Sequence, residues 1–159
     1  MISFCPGQIF GRYDYRITPS NRLILDMMKG IGITINTVLS CVDARDVGEI
    51  HALAVEEGKI GSRYVLTGNS VAMKSIGKTV SDITGKIVPH MPFGRSINIM
   101  TASIMELAAK LTGWVPPLSV GLAKEYSHRY AQYDNSKTLQ DFNYTFLSME
   151  ETIRDTIKC

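Results

Sequence analysis

The sequence has almost no excess of charge. Its 159 residues hold 17 Lys plus Arg against 15 Asp plus Glu, a formal net charge of +2. No block of five like charges occurs. Recognition of nucleic acid or a membrane surface through a basic field is therefore not expected. No apolar run approaches the roughly 18 residues that span a bilayer. The N-terminal Met1-Ile2-Ser3-Phe4-Cys5 lacks the basic n-region of a secretory signal. Cysteine is scarce: Cys5, Cys41 and Cys159 are an odd number at wide spacing. They make neither a zinc pattern nor a disulfide framework, and a reducing cytoplasm is the simplest reading.

Several chemistries are missing as well. No Gly-x-Gly-x-x-Gly follows a strand and no Walker sequence is present, so the chain has no glycine loop to cradle a phosphate. Lys29-Gly30-Ile31-Gly32 sits at a helix end, where its glycines act as caps. No His pair lies at i, i+4, no cysteine or carboxylate cluster has metal spacing, and no Gly-x-Ser-x-Gly elbow occurs.

What is present is an ordinary globular composition, 45% hydrophobic and 20% charged. A chain of this size buries roughly 70% of its unfolded surface and forms one unit. Ile2–Cys5 reads as a buried strand closed by Pro6-Gly7, and residues 7–17 as a polar, aromatic loop. Thr18-Pro19 opens a helix with the stripe Leu23, Ile24, Met27, Met28 and Gly30 as its C′ residue. Residues 31–36 suggest a short strand, and 39–42 form another apolar run. Asp43 caps a helix reaching about Glu57, with Val47, Ile50, His51 and Ala54 facing inward and Asp46 in the first turn. Arg63–Thr67 has high β-propensity. Asn69 or Ser70 is expected to cap the next helix, with the stripe Val71, Ile76, Val80, Ile83 and with Gly85 as C′. Residues 88–92 are extended because of their prolines. A long helix over 96–112 carries the stripe Ile97, Met100, Ile104, Leu107, Leu111. Pro116-Pro117 separates it from a helix ending near His128. Asp134 starts a short helix, and Ser148-x-x-Glu151 is a capping box before the last one, 149–157. The pattern is mixed α/β, with helices dominating after Gly68.

One motif invites a catalytic reading. Tyr133-Asp-Asn-Ser-Lys137 is Tyr-x-x-x-Lys, which on one helix face lets Lys lower the Tyr pKa for proton transfer. With Asp134 as N-cap, Tyr133 lies outside the helix and the geometry fails. His51 reads as a core histidine, and His90 and His128 have no carboxylate nearby in sequence. Arg45 and Asp46 suit capping and surface pairing, and Arg45 also suits a ligand at the strand-to-helix turn. The stretch from Pro6 to Arg16 is the most site-like, because open α/β sheets place ligands where strands end.

The order of the motifs resembles a known family. Pro6-Gly-Gln-Ile-Phe-Gly11-Arg-Tyr-Asp14 resembles "PxxVyGPxD" of extended short-chain dehydrogenases. Thr18-Pro-Ser-Asn-Arg-Leu-Ile-Leu, with Lys29-Gly30, matches the helix that follows. Cys41-Val-Asp-Ala-Arg-Asp-Val47 with His51-Ala-Leu-Ala54 resembles "fVdVrDVAeaHllA". Gly58-Lys-Ile-Gly-Ser-Arg-Tyr-Val-Leu-Thr-Gly-Asn69 resembles "GrpGerYiLgGeN". Leu111-Thr-Gly113, Pro116-Pro117, Tyr133–Lys137 and Ser148–Glu151 continue the order. The resemblance covers nearly the whole chain. It points to the C-terminal half of an NAD-dependent epimerase/dehydratase, in the sugar epimerase-like or dihydroflavonol reductase-like branch. Arg12 stands where the family usually has Pro, and Val38 where it has Gly.

The resemblance implies a fold, an activity and a site. The fold would be a truncated Rossmann-type unit over 1–159: the last sheet strands and their helices over 1–68, then a mainly helical substrate-binding lobe over 69–159. In the family the glycine-rich loop and the catalytic Tyr-x-x-x-Lys lie upstream of the strand that starts here, so no catalytic residue is assigned to this chain. NAD or NADP is the family's cofactor, and tight binding by this chain alone is not expected. The backbone of Pro6, Gly7, Gln8 and Ile9 would face the nicotinamide, and Arg16, Asn21 and Arg45 the substrate. The substrate would be a nucleotide-sugar or a similar hydroxy or keto compound. Two alternatives stand beside this: a non-catalytic binding module, or a half that works only with a separately encoded N-terminal part. The partners expected are a small-molecule substrate and either a second copy or that missing half.

Overall fold

The structure is a computed structural model that describes residues 1–113, 116, 118–127 and 130–158. It forms two compact units. One is made of Met1–Arg22, Leu39–Val71 and Ala131–Cys159, the other of Leu23–Val38 and Ala72–Tyr130. Neither is continuous in the chain, so a single cut after Gly68, as the sequence suggests, does not separate them. The last segment returns to the first.

The first unit is built on parallel strands. β1 (Ser3–Pro6) pairs with β5 (Arg63–Leu66), Ser3 opposite Arg63 and Pro6 opposite Leu66. β2 (Gln8–Phe10) pairs with β4 (Val38–Asp43), Gln8 opposite Cys41 and Phe10 opposite Asp43. β4 also adjoins β6 (Asn69–Ala72). Residues 39–43 are all buried, as a central parallel strand covered on both faces must be. Burial pushes the Cys41 thiol up to about 12, so it packs as an inert hydrophobe.

α2 (Ala44–Glu56), α6 (Ser136–Phe142) and α7 (Met149–Ile157) complete this unit. Asp43 caps α2 by accepting from Arg45 N, and Ser148 caps α7 by accepting from Glu151 N at 3.3 Å. The core joins Ile50, Ala54, Tyr64, Leu66 and Phe142, with Phe4, Val47 and Phe146 against it.

In the second unit, the end of α1 (Pro19–Met28), from Leu23 on, leads to β3 (Thr34–Ile35), which pairs in parallel with β7 (His90–Met91). α3 (Met73–Thr84) lies so close to β3 that a Cβ at Gly77 would stand 2.6 Å from Thr34 Cγ2. α4 (Arg95–Thr112) and α5 (Val120–Tyr126) pack around Ala102, Leu118 and Ala123. Among the described residues no helix is long and apolar enough to cross a membrane.

Several local expectations change. Residues 8–10 are a strand, not loop; three residues are too few to show a period. Residues 69–72 are also a strand, so α3 starts at Met73 on Ala72, which makes no side-chain cap bond. His51 is exposed, its Nδ1 2.7 Å from Val47 O and its ring 4.1 Å from Phe4. The largest change concerns α4. Its expected core stripe faces outward: Ile97 is 46% exposed, Met100 59%, Ile104 62%, Leu107 63% and Leu111 82%. The opposite face, with Asn98 and Ala102, is the buried one. Small residues there allow close packing, and periodicity cannot tell which of two apolar faces turns inward. Pro117, His128 and Cys159 lie outside the described residues.

Gly7 sits where the chain passes from β1 to β2. Its N–H donates to Leu66 O at 3.0 Å. A Cβ here would stand 2.5 Å from Ser40 O and 2.9 Å from Thr67 Cγ2. Gly7→Ala is expected to cost roughly 2–3 kcal/mol, because backbone lies on the other side of the clash. Gly48→Ala is the control: a Cβ at Gly48 meets nothing within 4 Å. Urea midpoints at unchanged slope should drop for the first and hold or rise for the second.

Candidate functional site

The parallel pair β2–β4 ends at Phe10 and Asp43. Two connections start there: the loop 11–18 after β2 and the first turn of α2 after β4. They approach closely, since a Cβ at Gly11 would stand 2.8 Å from the Ala44 Cβ. The loop is braced from within. Asp14 Oδ2 accepts from Thr18 N at 2.7 Å, Thr18 Oγ1 at 2.8 Å and Asn21 Nδ2 at 2.9 Å. The Thr18 backbone bond, above all, holds the Asp14 carboxyl below its ordinary value. Asn21 Nδ2 also donates to Gly11 O at 3.0 Å, and its Oδ1 accepts from Gly11 N at 3.4 Å. The buried Asn21 amide thus ties α1 to the start of the loop.

Four charges gather at the same strand ends. Arg45 Nε and Nη2 donate to the two oxygens of Asp43 at 3.0 and 2.8 Å, a bidentate fork. Arg45 Nη1 lies 3.1 Å from Asp155 Oδ2 of α7, which also meets Arg12 Nη2 at 2.6 Å. Burial raises the Asp43 carboxyl, but hydrogen bonds from Arg45 outweigh it and hold it below its ordinary value. The bond to Asp43 raises Arg45, and the bond from Arg12 lowers Asp155. All four groups stay ionised at neutral pH. Two guanidinium groups face two carboxylates, so the cluster is neutral and pins α7 to the α2 start. The Arg45 side chain remains 44% exposed.

The expected site residues all fall in the first unit. Pro6 and Ile9 are exposed; Gly7 and Gln8 are half-buried. Arg16 is exposed in the loop, Arg45 stands at the α2 start, and Asn21 is buried as the loop's brace. The loop and the α2 turn bring Arg12 and Arg45 to one carboxylate, Asp155. Asp155 escapes a reading by spacing: on α7 it looks like an ordinary surface acid, and only the return of the last segment brings it here.

Tyr133 and Lys137 do not share a helix. Tyr133 is exposed and precedes α6, whose N-cap is Asn135 rather than Asp134. Asp134 instead accepts from Ser136 N at 2.9 Å. Lys137 Nζ sits 4.9 Å from the centre of the Tyr64 ring. His90 Nδ1 lies 3.0 Å from Thr34 Oγ1, within the β3–β7 pairing. Among the described residues no group of three or more His, Cys, Asp or Glu could hold a metal ion.

Parallel strands followed by helices, with loops at the strands' carboxyl ends, define a Rossmann-type α/β protein. No family model matches the chain. A putative dihydroflavonol 4-reductase of Synechocystis is 27% identical over 157 residues, 96% of this chain and 46% of that protein. The crystal structure of gox2253 is similar at TM-score 0.74 and 27% identity, over 99% of this chain and 48% of that one. A nucleoside-diphosphate-sugar epimerase from Pseudomonas aeruginosa is similar at TM-score 0.69 and 21% identity, over 99% and 46%. Further solved structures of this fold, at TM-scores of 0.58 to 0.64, are complexes with NAD or NADPH. The chain spans about half the length of these relatives. The chain shares the Rossmann-type fold of these solved structures, a nucleoside-diphosphate-sugar epimerase among them, over a stretch of about half their length.

Proposed function

We propose that this chain is the substrate-binding part of an NAD(P)-dependent epimerase, dehydratase or reductase. Its substrate would be a nucleotide-sugar or a similar hydroxy or keto compound. One observation carries the reading: the loop 11–18 and the α2 start, with Arg45 half-exposed between them, stand at the carboxyl ends of a parallel pair. Open α/β sheets bind ligands there. Arg45 and Arg16 would supply cationic donors to the substrate. Asn21 would act by holding the loop rather than by touching ligand, since its amide is engaged by Gly11 and Asp14. The backbone of Pro6, Gly7, Gln8 and Ile9 would form one wall of the nicotinamide end.

The residues present do not fit the whole cofactor. A dinucleotide needs a glycine-rich turn at a helix N-terminus for its pyrophosphate, and the sequence has none. We therefore derive no hydride step, and this chain alone would not turn substrate over.

Two titrations test the reading. Uridine diphosphate glucose at millimolar concentration should shift amide resonances in 11–18 and 44–46, and Arg45→Ala should abolish those shifts without unfolding the chain. Shifts confined elsewhere would overturn the site. Calorimetry with NAD or NADP should find no dissociation constant below about 1 μM, which corresponds to roughly −8 kcal/mol. Tighter binding would overturn the division of labour.

A further inference from the structure

Ile97, Met100, Ile104, Leu107 and Leu111 follow one another at intervals of three, four, three and four residues along α4, and all are exposed. That is the seam of a coiled coil, two apolar positions per seven residues, held over the length of an 18-residue helix. The other face is already used: Asn98 and Ala102 are buried, and Ile99 and Met105 pack against α5 and Leu118. A helix apolar on two opposite faces is made to be covered on both. We propose that a second copy of this chain covers it, the two α4 helices packing antiparallel about a two-fold axis.

Three observations select this occupant. The stripe is self-complementary, as a two-fold interface must be. With the axis beside residue 102, Ile97 meets the partner's Leu107, Met100 meets the partner's Ile104, and Leu111 meets the partner's Phe93. Phe93 is itself 46% exposed just ahead of α4, so the added residue at each end finds an apolar counterpart.

The charge pattern agrees. The positions flanking the seam are Ser96, Thr101, Ser103, Ala108 and Lys110, so Lys110 is the one charge on them. Antiparallel pairing sets it opposite the partner's Ser96, and it aligns the helix dipoles head to tail. Glu106 points away, its Oε1 accepting from Val120 N at 2.7 Å. No like charges meet.

The area also suffices. From their fractional exposures the five side chains offer roughly 600 Å² per copy. With Phe93 and the flanking residues this approaches the roughly 800 Å² per partner of a standard interface. A membrane-surface helix would instead present a strongly charged polar face, which α4 lacks.

The test is sedimentation equilibrium of the whole chain, with and without Ile104→Glu plus Leu107→Glu. Both residues are exposed, so circular dichroism should be unchanged. The wild type should be dimeric at about 50 μM and the double variant monomeric, a weakening of at least a hundredfold. Disulfide trapping, with Cys5 and Cys159 replaced by serine, fixes the direction. Ser103→Cys, close to the axis, should cross-link two copies, and Leu111→Cys, far from its own symmetry mate, should not. A monomeric wild type, a dimer indifferent to the two glutamates, or cross-linking through Leu111→Cys instead of Ser103→Cys would each overturn the proposal.

Discussion

Tyr64→Ala is expected to cost roughly 4 kcal/mol, in the range found when large aromatic side chains are cut back in a core. Tyr64 is fully buried in the middle of β5. Its ring centre lies 4.7 Å from that of Phe142 and 6.1 Å from that of Phe4. Truncation removes one partner from each and leaves a void between β5 and α6. The hydroxyl adds a polar part, donating to Asp141 Oδ2 at 3.1 Å and accepting from Lys59 N at 3.2 Å. Tyr64→Phe keeps the ring and should lose only about 1 kcal/mol. Urea unfolding of the two variants separates packing from hydrogen bonding. Equal losses would show that the hydroxyl network, not the ring, holds the strand.

Asp46→Ala is expected to cost roughly 3 kcal/mol, with Asp46→Asn losing about a third of that. Asp46 is buried at the start of α2, 1% exposed. Its Oδ1 accepts from the Tyr144 hydroxyl at 2.9 Å and its Oδ2 from Leu147 N at 3.2 Å. Alanine removes both bonds and leaves the half-buried Tyr144 hydroxyl with Glu49 Oε2 at 2.5 Å as its remaining acceptor, while asparagine keeps an acceptor. The two variants should also part in their response to pH. Burial pushes the Asp46 carboxyl above its ordinary 3.8, against the pull of Tyr144 and Leu147. A raised acid favours folding while protonated, so its contribution is present below 3.8 and fades as pH rises through the folded value. Asp43 runs the other way: it is held down, so its contribution is present above 3.8 and is lost on acidification. Asp46→Asn removes the first effect and leaves the second. Its stability should therefore rise more steeply with pH above 3.8 than that of the parent. A parallel curve would show that Asp46 titrates as an ordinary surface acid.

Three of the expected helix starts were the most legible part of the fold. Thr18-Pro19, Asp43 and Ser148 each place a short acceptor before an apolar run, and each begins a helix within a residue of its expected start. Gly85 and Gly113, at φ +69°, end α3 and α4 as glycines in the left-handed region do. Harder to read were features that depend on the rest of the molecule. β2 and β6 become strands because β4 lies between them to pair with, not through their own pattern. His51 shares a face with Ile50 and Ala54 only approximately, and that margin puts it in solvent. At the site, Arg45 was legible because it follows the cap at a strand-to-helix turn. Asp155 and the brace formed by Asn21 were not, since each gains its role from a distant segment.

The late return of α7 bears on how the protein is made. Leu147 and Asp46 are bonded across 101 positions of sequence, and Asp155 closes the Arg12–Arg45 cluster from further still. On the ribosome, β1, β2, β4 and α2 emerge long before the segment that seals them. Until it arrives, Phe10 and the α2 start stay open on one side, with apolar surface and unpaired charge in view. Contacts of such wide separation slow closure and lengthen exposure to chaperones and proteases. A stop codon placed before α7 would therefore do more than shorten the chain by one helix. It would leave the nascent unit in its most vulnerable state.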